Sequence, residues 1–208
     1  MKDGVVLATE KLITAKLLVA GANKRIGNID YNCGMTTSGL VADGRELQNR
    51  AREDARSYRD QYDTEITGKA LAEKVGLYMQ AHTLYSSVRP FGISALIAAM
   101  DKNGPSLYLV EPSGEFVGYF GCAIGKGKQN AKTEIEKLKL SEMTVADAVK
   151  EAARIIYKVH DDAKDKEFEL ELSWIGPQSN NRHQFVPQNI LDECIEYAKA
   201  SLEESMED

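Results

Sequence analysis

Two glycines in the run GCAIGKGKQNAKTEIE lie where a loop could bind a phosphate group. Gly125 and Gly127 follow a strand-like run and precede a predicted helix. The amino terminus of a helix presents free backbone N–H groups to an anion. The spacing, however, matches neither G-x-G-x-x-G nor the Walker pattern with its Lys-Ser/Thr pair. We therefore favour a plain strand-to-helix turn, and keep a small-molecule enzyme that uses this loop as an alternative.

Histidines and cysteines offer little catalytic pattern. His82, His160 and His183 are scattered, and none stands in an H-E-x-x-H or C-x-x-C-H motif. His82 falls on the packed face of a predicted helix, where we expect a core histidine with its hydrogen bonds satisfied. His160 follows a predicted helix and is placed to interact with its carboxyl end. Cys122 and a distant histidine could form a thiol hydrolase pair. We disfavour that pair because Cys122 falls inside a predicted apolar strand, and we predict no catalytic residue and no metal site.

A small basic cluster could bind an anion. Lys24 and Arg25 stand close to Lys16 in the sequence, and guanidinium groups pair well with carboxylates. Composition alone favours the plainer interpretation, a loop whose charges are solvated.

The chain ends in the acidic run SLEESMED. Such an end is usually solvated and frayed. Ser201 and Ser205 are each followed by two acidic residues within three positions. The pattern predicts that a kinase directed by acidic residues could phosphorylate both serines.

Strand and helix signals occur in blocks along the chain. We predict strands at GVVLATE, ITAKLLVA and KRIGNIDYNCGMTTSG, then helices over about residues 40–58 and 67–87. The second helix is expected to stop before Arg89-Pro90, because a residue that precedes proline is disfavoured in the α region.

In the second half of the chain, predicted strands again come before predicted helices. GISALIAAM predicts a fully buried strand, and SLYLVEPSGEFVGYFGCAIG predicts a hairpin that turns at Pro112-Ser113-Gly114. A third helix follows from about Ala131, and Thr144 with Asp147 predicts a capping box that opens a fourth. EFELELSWI alternates strictly, so it predicts a strand whose glutamates face water or basic partners. A short strand HQFVP and a helix from about Gln188 end the chain. Blocks of this kind favour an α+β fold with stacked antiparallel sheets and helices outside.

Composition limits the classes of function. The chain has 208 residues, of which 43% are hydrophobic, and this length suits one domain spanning 1–208. The net charge of −6 argues against nucleic acid and against an anionic membrane surface as partners. Three widely spaced cysteines predict neither a disulfide framework nor a zinc site, and fit a reducing intracellular compartment.

Several runs resemble the α-subunit family of the 20S proteasome. SGLVADGRELQNRAREDA resembles the family's S-G-L-x-A-D-(A/G)-R run, and YSSVRPFGISALIAA resembles its R-P-(F/Y)-G junction. YLVEPSGEFVGYFGCAIGKGKQNAKTEIEKL resembles its D/E-P-S-G hairpin and A-I-G-x-G helix start. These motifs occur in the family's order and cover nearly the whole chain. Finer similarity, in AKTEIEKL and in IIYKVHDDAKDKEFELELSWIG, indicates one particular subunit type.

The resemblance implies a four-layer αββα sandwich of the N-terminal-nucleophile hydrolase type, with two antiparallel sheets between helical layers. It implies a non-catalytic subunit of a ring that stacks on β subunits and controls substrate entry into a threonine protease. The implied partners are other α and β subunits and proteasome activators or the ATPase regulatory particle, in the cytoplasm and nucleus, with no cofactor. An active threonine hydrolase of the β class is the alternative.

The sequence departs from the family pattern in two places. The family's F-S-P-x-G-R-x-x-Q-V-E-Y-A signature is missing, so we expect the amino-terminal segment, with its first helix and strand, to be absent. The family also has a pocket lysine that receives the carboxylate of an ATPase tail. Arg25 stands at that position with Lys24 beside it, and Gly39 and Leu40 match residues that line the pocket. Arginine can bind a carboxylate with two hydrogen bonds, so these four residues form the predicted tail pocket.

Overall fold

The structure, a computed structural model, describes residues 1–19, 21–160 and 167–207, with side chains through Glu203. Within these ranges no helix is long and apolar enough to cross a membrane. The described strands are β1 Val5–Leu12, β2 Ile26–Asp30, β3 Cys33–Gly39, β4 Ile93–Asp101, β5 Gly104–Val110, β6 Phe116–Gly118, β7 Phe168–Ile175 and β8 Gln184–Phe185. The described α-helices are α1 Val41–Tyr62, α2 Gly68–Ala81, α3 Lys128–Glu136, α4 Val145–Val159 and α5 Gln188–Glu207.

The strands form two antiparallel sheets. One has the order β1-β7-β8 and the other has the order β2-β3-β4-β5-β6. One apolar cluster lies between α1, α2 and the five-stranded sheet. A second lies between the two sheets, and a third lies between the three-stranded sheet and α4 and α5. Four layers in the order helices, sheet, sheet, helices confirm the predicted α+β sandwich.

Local sequence signals identified most elements. The capping box is present, since the Thr144 side chain accepts from the Asp147 N–H and Asp147 accepts from the Thr144 N–H. The alternation of EFELELSWI forms β7 as predicted, and both glutamates within the strand have partners. Glu169 pairs with the buried Lys11 of β1, and Glu171 accepts from the backbone N–H of Arg25.

The predicted strand ITAKLLVA is wrong for its described residues. Ile13 still donates its N–H to Glu167, at 2.8 Å, but the chain then leaves the sheet and turns, with Leu18 donating to Ala15. Leu17 is 97% exposed, and Ala20 lies outside the described residues. An apolar run becomes a strand only where a neighbouring strand supplies hydrogen-bond partners, and the described chain places none beside this run.

Two other predicted elements are shorter in the structure. The helix α2 ends at Ala81, and not near Ser87, because the next N–H groups bond to carbonyls only three residues back, as in His82 to Met79. Tyr85 is therefore exposed and does not continue the buried stripe. The hairpin strand β6 ends at Gly118, so Cys122 does not lie in a strand.

Two motifs that are far apart in the sequence meet at the start of α1. The guanidinium of Arg89 donates to both carboxylate oxygens of Asp43, at 2.7 and 2.8 Å. The Gly92 N–H donates to the same carboxylate at 2.9 Å. These bonds, chiefly that from Arg89, lower the pKa of Asp43 to about 2. The ion pair therefore fixes α1 against the segment that leads into β4.

Candidate functional site

A cavity of about 470 Å³ lies beside β1. β1 pairs with β7 along one edge, and no described strand pairs with the other. The wall of this β1-edge cavity is largely apolar. It is formed by β1, by residues on the facing sides of the two sheets, by the segment after β6, and by α3 and α4. Its residues include Val6, Ala8, Leu107, Cys122, Ile135 and Ile156. Such a wall suits an extended or apolar occupant better than a charged substrate.

Arg25 brings a positive charge to the wall of the β1-edge cavity. Its backbone is held on both sides, because its N–H donates to Glu171 at 2.8 Å and its carbonyl accepts from the Gln48 amide at 3.0 Å. The side-chain Nε is buried and has no hydrogen-bond partner among the described residues. A buried donor without a partner costs free energy, so an acceptor that reached this Nε would stabilise the side chain.

The other three residues of the predicted tail pocket lie elsewhere. The Lys24 ammonium lies 4.4 Å from the centre of the Phe185 ring. Gly39 ends β3 and Leu40 precedes α1, where the Leu40 N–H donates to Gly92 at 3.0 Å. Neither Gly39 nor Leu40 belongs to the described lining of the β1-edge cavity. The structure thus brings Arg25, and not the set of four, to this cavity.

Cys122 lines the same cavity but lacks the setting of a nucleophile. Burial is the main cause that raises the pKa of its thiol, so the reactive thiolate is disfavoured. Its sulfur contacts the Ala123 carbonyl at 3.8 Å, and no described contact joins it to a histidine. The thiol hydrolase alternative therefore has no geometric support.

The glycines of the proposed phosphate loop are explained by packing. Gly125 has a φ of +99°, a conformation that favours glycine. A Cβ on Gly127 would lie 2.3 Å from Val159 of α4. Gly127 also precedes α3 directly, so the plain turn into this helix accounts for both residues.

His82 has its ring packed and hydrogen-bonded as predicted, but it is half-buried at the C-cap of α2 and is not a core residue. Its ring lies between Tyr78 and Phe91, with centroid distances of 4.8 and 4.7 Å. Its Nδ1 is 2.9 Å from the Tyr78 carbonyl oxygen. His160 ends α4 through its backbone, but its ring reaches a residue of β1, with Nδ1 2.6 Å from a Glu10 carboxylate oxygen. Both imidazoles therefore brace the fold.

A buried polar network around His183 was missed by the sequence reasoning. Its Nδ1 contacts the Asn28 side chain, and its Nε2 lies 2.9 Å from the Ser173 hydroxyl. Burial lowers the pKa of His183 to about 4, so the ring is neutral at pH 7. A serine next to a histidine can be a nucleophile, but Ser173 has no exposed surface. The one available signal was a serine that replaces the last glutamate in the alternation of β7.

The predicted phosphorylation sites both fall in α5. Ser201 is half-buried on this helix, and the side chain of Ser205 lies outside the described residues. Within the described residues, no three histidine, cysteine or acidic side chains are grouped as metal ligands would be.

Comparison with known proteins identifies the family. A family model described as "Proteasome subunit" matches residues 1–175. "Proteasome subunit alpha type-3" of Acanthamoeba castellanii is 59% identical over 204 residues, which cover 98% of this chain and 81% of the relative. The protein of the same name in Dictyostelium discoideum is 53% identical, with 98% and 82% covered. "Probable proteasome subunit alpha type-7" of Schizosaccharomyces pombe is 46% identical, with 100% and 82% covered. The chain therefore belongs to the proteasome subunit family, and its similarity is to the α type.

Proposed function

We propose that the chain is a non-catalytic structural subunit of the α ring of the 20S proteasome, in protein degradation that depends on ATP and ubiquitin. The observation that carries this proposal is the similarity to α type-3 subunits over 98% of the chain. The alternative, an active β-class threonine hydrolase, is not favoured.

Assembly needs surfaces for neighbours, and the chain exposes large apolar side chains. Leu17 and Val19, in the loop after β1, are 97% and 77% exposed, and Phe120, after β6, is 94% exposed. We propose that these two loops contact neighbouring α and β subunits, which would remove their apolar surface from water.

Co-expression with the other α subunits tests this proposal. Native mass spectrometry or sedimentation is expected to find the chain in a ring-sized particle. Phe120→Asp should reduce its incorporation, whereas Lys69→Asp, on the exposed face of α2, should not. Circular dichroism of each purified variant checks that the fold is kept. A chain that stays monomeric with all partners present would refute the proposal.

Docking of an activator or an ATPase regulatory particle is a second part of the proposal. We propose that Arg25 receives the terminal carboxylate of a regulator's tail, without direct participation of Lys24, Gly39 and Leu40, which do not line the β1-edge cavity. The unpartnered Nε of Arg25 supports this role. Fluorescence anisotropy with a tail peptide should show binding that Arg25→Gln weakens about tenfold or more, the worth of one charge-assisted hydrogen bond. When the carboxyl terminus of the peptide is amidated, the unmodified chain should bind it no more tightly than the Arg25→Gln variant does.

We propose the cytoplasm and nucleus as the location, and Ser201 and Ser205 as phosphorylation sites. The acidic residues after each serine support the second proposal. Phosphopeptide mapping of the protein from cells tests it, and a map that covers both serines without phosphate would exclude it. Imaging of a tagged chain tests the location.

A further inference from the structure

A second cavity, of about 590 Å³, lies beside the end of β2. Its wall comes from the second half of α1, the end of β2 with the following turn, and the residues before β8. We call it the arginine cavity, because four arginines line it: Arg52, Arg56, Arg59 and Arg182. Its volume is typical of small-molecule sites.

The cavity is positive although the chain is acidic. Its wall contains four arginines and only two aspartates, Asp30 and Asp60, and His183 is neutral at pH 7. One arginine, Arg59, already pairs with Asp30. Arg52, Arg56 and Arg182 thus face a single remaining carboxylate, that of Asp60, in a chain whose net charge is −6. This local surplus attracts an anion that carries more than one charge.

Several of the guanidinium groups are held in place. Arg52 donates from Nε to the Asn28 carbonyl and from Nη1 to the Asn49 side chain, both at 2.7 Å. Arg59 and Arg182 lie over the Tyr31 ring, 4.9 and 5.2 Å from its centre. Side chains that are already ordered lose less entropy when a ligand binds.

Arginine forks match the oxygens of phosphate groups, with several N–H donors per guanidinium. Because these arginines line one cavity, give it a surplus of positive charge and are partly ordered, we infer that the arginine cavity binds a small polyanion that carries two or more phosphate groups. Arg56 and Arg182 supply exposed guanidinium groups to the ligand, and Arg52 supplies one that is held by α1 and β2.

Isothermal titration of the purified 208-residue chain with tripolyphosphate tests the inference. We expect one site whose affinity falls as salt is raised. Arg56→Gln and Arg182→Gln should each weaken binding about tenfold or more, as expected for the loss of a charge-assisted hydrogen bond. The matched control is Lys69→Gln with Lys74→Gln, which removes two exposed positive charges from α2 and should leave the affinity unchanged.

Three results would overturn the inference: no binding at low salt, equal weakening by the control pair, or unchanged affinity in both arginine variants. A further titration uses an Asp- and Glu-rich peptide whose charge equals that of tripolyphosphate. Peptide binding with no response to tripolyphosphate would assign the surface to an acidic protein partner and would also refute the phosphate site. Circular dichroism of every variant confirms that a loss of binding does not reflect unfolding.

Discussion

Replacing Asp43 by asparagine tests whether the ion pair with Arg89 fixes the start of α1. Asparagine has the same shape but no charge, and its single carbonyl oxygen can keep at most two of the three hydrogen bonds that the carboxylate accepts. The side chain of Asp43 is 11% exposed and that of Arg89 is 64% exposed. Bonds to a charged group are worth about 1.5–3 kcal/mol, but exposed ion pairs are worth about 0–1 kcal/mol. We therefore expect Asp43→Asn to lower the free energy of unfolding by about 2 kcal/mol at pH 7.

Urea denaturation gives this free energy from the midpoint and slope. Glu46→Gln is the matched control, because it removes a carboxylate charge from α1 at an exposed position and should change stability by less than about 0.5 kcal/mol. A double-mutant cycle with Arg89→Gln should show a measurable coupling between the two positions. Equal losses in Asp43→Asn and the control, or no coupling, would refute the reasoning.

The same pair predicts a pH dependence with a definite sign. The pKa of Asp43 falls to about 2 in the folded state, from about 3.9 in an unfolded chain. The stabilisation is therefore fully present above about pH 4 and is lost as the pH falls toward 2. The difference between the wild type and Asp43→Asn should shrink over this interval, and a difference that stays constant would contradict the ion pair as its source.

Three further variants test other parts of the fold. Gly34→Ala should cost about 3 kcal/mol in urea denaturation, because its Cβ would lie 2.2 Å from the His183 ring. An unchanged midpoint would contradict that packing. Thr144→Ala should lower the free energy of unfolding by about 1 kcal/mol through loss of the capping box. An unchanged free energy of unfolding, with a reduced helical signal in circular dichroism, would contradict this prediction. Glu134→Gln should destabilise at pH 6 but have little effect near pH 2, since Lys137 and other basic neighbours lower the pKa of Glu134 to about 2.

Signals that act within a few residues allowed most elements to be predicted. The capping box at Thr144, the alternation that forms β7 and the buried run that forms β4 all depend on short-range periodicity. The order of blocks then indicated stacked antiparallel sheets, which the structure confirms. Such signals are strong because backbone geometry alone fixes the periods of helices and strands.

Features that depend on distant neighbours could not be predicted. The run at residues 13–19 has strand-like composition, but the described chain offers it no partner strand. The network of Ser173, His183 and Asn28 joins residues up to 155 positions apart. The arginine cavity likewise combines α1 with Arg182, near the other end of the chain. Spacing along the sequence carries no information about such contacts.

The residues of the predicted tail pocket differ in role, and those at the junction between β3 and α1 are explained by the packing of the fold. A Cβ on Gly39 would lie 2.2 Å from the Gly92 carbonyl oxygen, and the Leu40 N–H donates to that oxygen. The glycine at 39 and the position of Leu40 are thus explained by close packing against the segment that Arg89 and Asp43 hold. Arg25 has no such explanation, because its Nε is buried without a partner in the described chain. The proposed tail binding should therefore respond to Arg25→Gln far more than to changes at Leu40 that keep the fold.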